Sequence, residues 1–149
     1  METTSLYKRA TFVTHLPVER LYSPAHFWLA KEPDRCWRVG FTKFATRMLG
    51  DLVDHQWEIQ PGQPIEPGQI LGAIEGFKAI SDLYCAGSGT FLEGNPLLRE
   101  SIELLTEKPY DSGWLYRFQG NPDPRCMPMD SYRALLDATI DRILEKQHS

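Results

Sequence analysis

The run Gly72-Ala73-Ile74-Glu75-Gly76-Phe77-Lys78-Ala79-Ile80-Ser81-Asp82-Leu83-Tyr84 decides how this chain folds. Gln69 to Ile74 reads as a short apolar strand. Ala79 to Tyr84 alternates small or apolar residues with polar ones, the period-2 signature of a second strand. Gly76 stands between them, where a tight turn can use its freedom at positive φ. Lys78 then falls at or beside the hairpin tip, the only lysine between Lys43 and Lys108. Most turn lysines are simply solvated. A lone lysine on a stiff, protruding turn is also an accessible amine that an enzyme can recognise by position.

Outward from this hairpin the chain is a succession of short strands punctuated by proline and glycine. Upstream, Pro61-Gly62 and Glu66-Pro67-Gly68 are turns, and Asp51 to Ile59 is a strand. Thr42 caps a short helix that Gly50 stops, with Phe44 and Met48 facing inward. Cys36 to Phe41 places Trp37, Val39 and Phe41 on one face and pairs with His26–Ala30 through a turn at Lys31–Asp34. Ala10 to Thr14 reads as an edge strand ended by Pro17, and Leu21 to Pro24 as a turn. Downstream, Gly87-Ser88-Gly89 turns the chain into a strand at Thr90–Glu93. Asn95-Pro96 breaks it, Leu97 to Leu105 is helical in part, and Trp114 to Phe118 is the last strand.

After Gly120, Asn121-Pro122-Asp123-Pro124 and Pro128 predict an extended linker. Asp130 then caps a helix through about Lys146. Its stripe of Tyr132, Leu135, Leu136, Ile140, Ile143 and Leu144 either docks on the strands or receives a partner. The expected organisation is a single domain over residues 1–149, with a core at about 21–119, a linker at 120–129 and a helix at about 130–146. Many short strands with Pro/Gly turns predict a small barrel or sandwich, not a parallel α/β sheet.

Composition narrows the function classes. A formal net charge of −4 with no basic run gives no electrostatic footprint for nucleic acid or a membrane surface. No apolar run approaches the roughly 20 residues that span a bilayer, and the N-terminus lacks the basic start and apolar stretch of a secretory signal. Cys36, Cys85 and Cys126 are odd in number and widely spaced, which fits a reducing cytoplasm and gives no metal-ligand spacing. His15, His26, His55 and His148 are equally scattered, so no zinc site is expected.

With these landmarks in place, the chain resembles the H proteins of the glycine cleavage system, a lipoyl-domain family. The matching residues run in order: Tyr22-Ser23-Pro24-Ala25-His26-Phe27-Trp28, Val39-Gly40-Phe41-Thr42, Leu49-Gly50-Asp51, Gly72, Glu75-Gly76-Phe77-Lys78-Ala79-Ile80-Ser81-Asp82, Gly89, and Pro109-Tyr110-Asp111-Ser112-Gly113-Trp114. The resemblance covers about Leu21 to Phe118. It implies a mainly β barrel-sandwich hybrid with short helices and a C-terminal helix. It also implies lipoic acid joined covalently by an amide to Lys78, as N6-lipoyl-lysine. Glu75, Gly76, Phe77, Ala79 and Asp82 flank that attachment point, and the two carboxylates can guide docking or the attaching enzyme. The arm, about ten bonds of nearly 1.5 Å, swings on the order of 14 Å from the backbone. The implied protein is a monomeric, non-catalytic carrier. Its partners are a lipoate-protein ligase or lipoyl assembly enzymes, together with the P, T and L proteins of glycine cleavage.

Two departures redirect the expected cargo. The family usually reads His-Glu-Trp where this chain has His26-Phe27-Trp28. In the family that glutamate helps hold the amine of the aminomethyl cargo in a surface cleft, and Phe27 can neither accept a hydrogen bond nor balance an ammonium. The family's Ser-Val-Lys is here Gly76-Phe77-Lys78, and an aromatic beside the arm suits an apolar or sulfur-bearing cargo. These features are similar to the H-protein-like lipoate-binding branch of bacterial sulfur oxidation, whose partners are a heterodisulfide-reductase-like complex and sulfurtransferases. Glycine cleavage stays as the alternative. An unmodified binding module is a second class. A free-standing enzyme is disfavoured by the lack of a nucleophile–base pair, and a biotin carrier by Phe77 and Ala79 where methionines are typical. Cys85 lies seven residues past Lys78, up to about 23 Å along an extended strand, beyond the arm's reach, and reads as a buried structural thiol.

Overall fold

The computed structural model describes residues 2–148. It contains three antiparallel sheets. The largest has the order β12-β3-β4-β5-β11-β10-β7. Its strands are β3 (Leu21–Tyr22), β4 (Phe27–Glu32), β5 (Cys36–Phe41), β7 (Pro64–Ile65), β10 (Gly87–Gly94), β11 (Tyr116–Pro122) and β12 (Met127–Pro128). A second sheet, β6-β8-β9, is made of β6 (Leu52–Trp57), β8 (Ile70–Gly76) and β9 (Ile80–Tyr84). A separate hairpin joins β1 (Thr4–Arg9) to β2 (Phe12–Pro17). The helices are α1 (Lys43–Leu49), a 3-10 turn (Pro96–Arg99), α2 (Leu104–Glu107) and α3 (Met129–His148). The mainly β barrel-sandwich architecture and the terminal helix expected from the sequence are both present.

Strand alternation explains where the core sits. Phe27 and Leu29 of β4 join Val39, Ile74, Leu83 and Phe118 in the core shared by the two larger sheets. Trp28 between them points the other way, as strand geometry requires. It joins a second cluster with Tyr7, Phe12, Tyr22, Phe44, Tyr132 and Leu136. Both faces of β4 are therefore covered, which is why Phe27-Trp28-Leu29 is apolar without interruption. The helical stripe expected from the sequence is used here: Tyr132, Leu136 and Ile140 are buried, and Tyr132 stacks on Tyr22 at 4.7 Å.

Several local expectations are corrected. Ala10-Thr11 is not strand but the two-residue tip of the β1–β2 hairpin, because Arg9 pairs with Phe12 and Ala10 has φ 53°. Leu21-Tyr22 is a strand, paired on both sides. Gly87-Ser88-Gly89 is not a turn but the start of β10, where Gly89 (φ 136°) faces Gly120 (φ 145°). A Cβ on either would overlap the opposite backbone, so the glycines mark close strand approach rather than a bend. The stretch read as a linker, 120–129, instead carries the end of β11 and all of β12. Met48, expected to face inward, is half exposed.

Candidate functional site

The β8–β9 hairpin closes with a very short tip. The Gly76 N–H donates to the Ala79 carbonyl at 2.9 Å, leaving only Phe77 and Lys78 between. Both tip amides are used: Phe77 N–H donates to the Asp51 carbonyl at 3.0 Å, and Lys78 N–H to the Leu49 carbonyl at 2.9 Å. The last carbonyls of a helix have no partner within it. The tip thus satisfies one orphan acceptor of α1 and is itself held by main-chain bonds that do not depend on side-chain rotamers.

Gly76 acts differently from its sequence reading. It is not among the residues with positive φ. It ends β8 directly against α1, and a Cβ there would overlap the Leu49 carbonyl oxygen. The need is for close approach, not for a left-handed turn. Gly50 supplies the positive φ nearby, at 78°, and closes α1 by donating its N–H to the Thr46 carbonyl at 3.0 Å.

Lys78 is exposed, with its stem lying over Gly50: a Cβ on that glycine would be 2.9 Å from Lys78 Cγ. Its Nζ donates to the Arg47 carbonyl at 3.3 Å. Among the described residues no carboxylate lies within ion-pair distance of it. The remaining candidates gather around it. Register pairs Glu75 with Ile80 and Ala73 with Asp82, so Glu75, Ile80 and Asp82 share the outer face of this sheet. Glu75, Ala79 and Asp82 are exposed, Gly76 is buried, and Phe77 stands 81% exposed with Ile80 at 74%. Sequence reasoning missed Ile80, Arg47 and Gly50 as parts of this neighbourhood. The helix-stop signal at Gly50 was visible; its contact with Lys78 is tertiary.

Three depressions flank the tip. The largest, of about 430 Å³, borders both Phe77 and Lys78 and is lined by Lys43, Thr46, Arg47, Gly50, Asp51 and Thr106. Two others lie beside it. One, of about 180 Å³, lies against Phe27 and is bordered by Ala25, Met48, Ser81 and Asp82. Phe27 is buried there and stacks on Phe41 at 5.4 Å, so the position departing from the family pattern presents a ring and no acceptor. The other, of about 340 Å³, opens between α1, α3 and the β1–β2 tip, with Lys78 on its border.

His26 has a positioning role. Its Nδ1 lies 2.9 Å from the Tyr132 hydroxyl, which also lies 2.8 Å from Thr42 Oγ1, and burial pushes its pKa down to about 4. Two of the thiols, Cys85 and Cys126, are not poised for reaction. Cys85 is buried with Sγ donating to the Gly87 carbonyl at 3.0 Å, and burial pushes it up to about 11. Burial likewise pushes Cys126 up to about 12, whereas reactive thiols have lowered values.

Comparison with known proteins converges on one family. The family described as Glycine cleavage H-protein matches residues 20–131. The chain is 34% identical over 136 residues to the glycine cleavage system H protein of Escherichia coli O7:K1, covering 91% of this chain and 100% of that protein. It is 33% identical over the same length and coverage to the H protein of Shigella dysenteriae serotype 1. Among solved structures, a glycine cleavage system H protein from Mycobacterium marinum superposes with a TM-score of 0.72 and 31% identity, covering 80% of this chain and 97% of that one.

Proposed function

Because the chain belongs to the glycine cleavage H-protein family, we propose that it is a non-catalytic carrier bearing lipoate in amide linkage on Lys78. The observation that carries this reading is the tip itself. An exposed amine with no carboxylate partner among the described residues sits on a two-residue loop that three main-chain hydrogen bonds, from Gly76, Phe77 and Lys78, hold in place. The residues fit the group. Acylation removes the ammonium charge but leaves one N–H on Nζ, enough to keep the bond to the Arg47 carbonyl. When bound, lipoate supplies a dithiolane whose thiol–disulfide exchange accepts and releases a transferred group. The chain's own part is to present that group: exposed Phe77 and Ile80 give the tip an apolar face, and Glu75 and Asp82 give it charge for recognition by a lipoate-protein ligase or lipoyl assembly enzymes.

For the cargo we favour sulfur, passed among sulfurtransferases and a heterodisulfide-reductase-like complex. Support comes from Phe27, which offers no acceptor for a cationic amine. A second reading, transfer of the aminomethyl group among P, T and L proteins, is supported by full-length similarity to glycine cleavage H proteins. Intact-mass measurement after expression in a lipoate-competent host should show one lipoyl adduct, absent in Lys78→Arg. An unmodified mass with every class of lipoate ligase would sink the carrier reading. Efficient aminomethyl loading by glycine decarboxylase would instead select the second cargo.

A further inference from the structure

We infer that the arm on Lys78 has a resting place of its own: the apolar trough between α1, α3 and the β1–β2 tip. This rests on the lipoylation of Lys78 proposed above. The trough is about 340 Å³, near the lower end of small-molecule pockets. Its walls are Phe12, Phe44, Met48, Ile140, Ile143 and Leu144. A dithiolane on a short hydrocarbon chain is apolar and polarizable, and sulfur packs favourably against the two phenylalanine rings.

The lysine stem runs along the border of the trough. It crosses Gly50, where only a glycine leaves room, and reaches the Arg47 carbonyl, and Arg47 and Met48 both border the trough. An acylated Nζ keeps the same donor, so the bond directs the arm along α1 rather than away from it. The depression against Phe27 is about half the size and does not include Lys78 in its border. The one of about 430 Å³ does border Lys78, but Lys43, Thr46, Arg47, Asp51 and Thr106 line it and Phe77 is its one apolar side chain, so it offers a dithiolane little to pack on.

Part of the trough lies outside the stretch that the family match covers. Arg9 to Phe12 and the trough-lining residues of α3 lie outside residues 20–131. Side-chain bonds staple these two segments together: Tyr7 Oη to Asp137 at 2.7 Å, and Arg9 to Asp141 at 2.8 and 2.9 Å. These two segments therefore do more than cover β4; they wall a site beside the arm.

The test uses the full-length lipoylated protein, with the adduct first verified by mass. Methyl NMR spectra of this protein and of Lys78→Arg are compared. Arm docking shifts the methyls of Ile140, Ile143 and Leu144. In parallel, reduction of the dithiolane by tris(carboxyethyl)phosphine is timed. An arm docked nine parts in ten is reduced about tenfold more slowly than a free one, and Leu144→Glu restores most of that difference. Shifts confined to Ala79 and Ile80, or appearing at Ala25 and Ala45 of the depression against Phe27 instead, would overturn the resting site while leaving the carrier reading intact. An absent adduct would overturn the carrier reading and, with no arm to dock, the resting site with it. The spectra of the unsubstituted protein decide the matter even if Leu144→Glu unfolds.

Discussion

Two hairpins with two-residue tips flank α1, and they are held in opposite ways. The β8–β9 tip at Phe77-Lys78 is fixed by main-chain bonds to the carbonyls of Leu49 and Asp51, with Gly76 packed against the helix end. The β1–β2 hairpin, with its tip at Ala10-Thr11, pairs with no other strand among the described residues. Side chains hold that hairpin: Tyr7 and Arg9 bond to Asp137 and Asp141 of α3, Arg133 bonds to the Leu6 carbonyl, and Phe12 packs edge-on to Phe44. A main-chain clamp places one atom accurately because peptide groups have fixed geometry and must be paired when buried. A side-chain clamp tolerates adjustment. The presented lysine sits on the first kind, and the wall of the neighbouring trough on the second.

The contrast can be broken most severely through α3. Leu136→Ala, at a fully buried position, should cost about 2–5 kcal/mol. Hydrogen exchange should rise across β1 and β2 while the amides of Phe77 and Lys78 stay protected. Simultaneous loss of protection in both hairpins would show that they are one unit. Gly76→Ala inverts the experiment. Its Cβ must displace the Leu49 carbonyl, at a cost of about 1–3 kcal/mol. Here Phe77 and Lys78 should lose protection and lipoylation should slow, with β1–β2 unchanged; normal modification kinetics would show that the tip needs no such placement.

Acid gives the most graded effect. Burial holds His26 neutral, its pKa lowered from 6.5 to about 4. Between those values the unfolded chain binds a proton that the folded chain does not. The His26 contribution is therefore complete above pH 6.5 and is lost as pH falls toward 4, with a slope of up to about 1.4 kcal/mol per pH unit. Because His26 contacts Phe44 and Tyr132, the α3 side should loosen first. Chemical denaturation of the wild type and His26→Gln at pH 7.5, 6 and 5 measures this. Parallel stability profiles for the two proteins would remove His26 from the account.

Most of the β architecture was legible because its signals are local. Alternation marked β5 and β9, Thr42 and Gly50 bounded α1, and the helical stripe marked α3. The failures share a cause. Gly87, Gly89 and Gly76 look like turn residues by type, yet each is needed where another backbone comes close. Gly120 to Pro128 looked like a linker because prolines break patterns, yet β12 needs only two residues to pair with β3. The short β1 strand, with exposed Leu6 and charged neighbours, carries too little apolar periodicity to read alone.

By itself, the order of residues determined that this chain makes short antiparallel strands, that a hairpin would lift Lys78 out of them, and which family that pattern belongs to. Those properties follow from dihedral preferences and side-chain period, which act over a few neighbours. Only the tertiary structure decided that the helix end at Leu49 clamps the lysine's loop, that Gly50 clears a path for its stem, and that the N-terminal hairpin and α3 meet to wall a trough beside it. Such contacts join residues tens of positions apart, and packing, which has no signature in local sequence, chooses them.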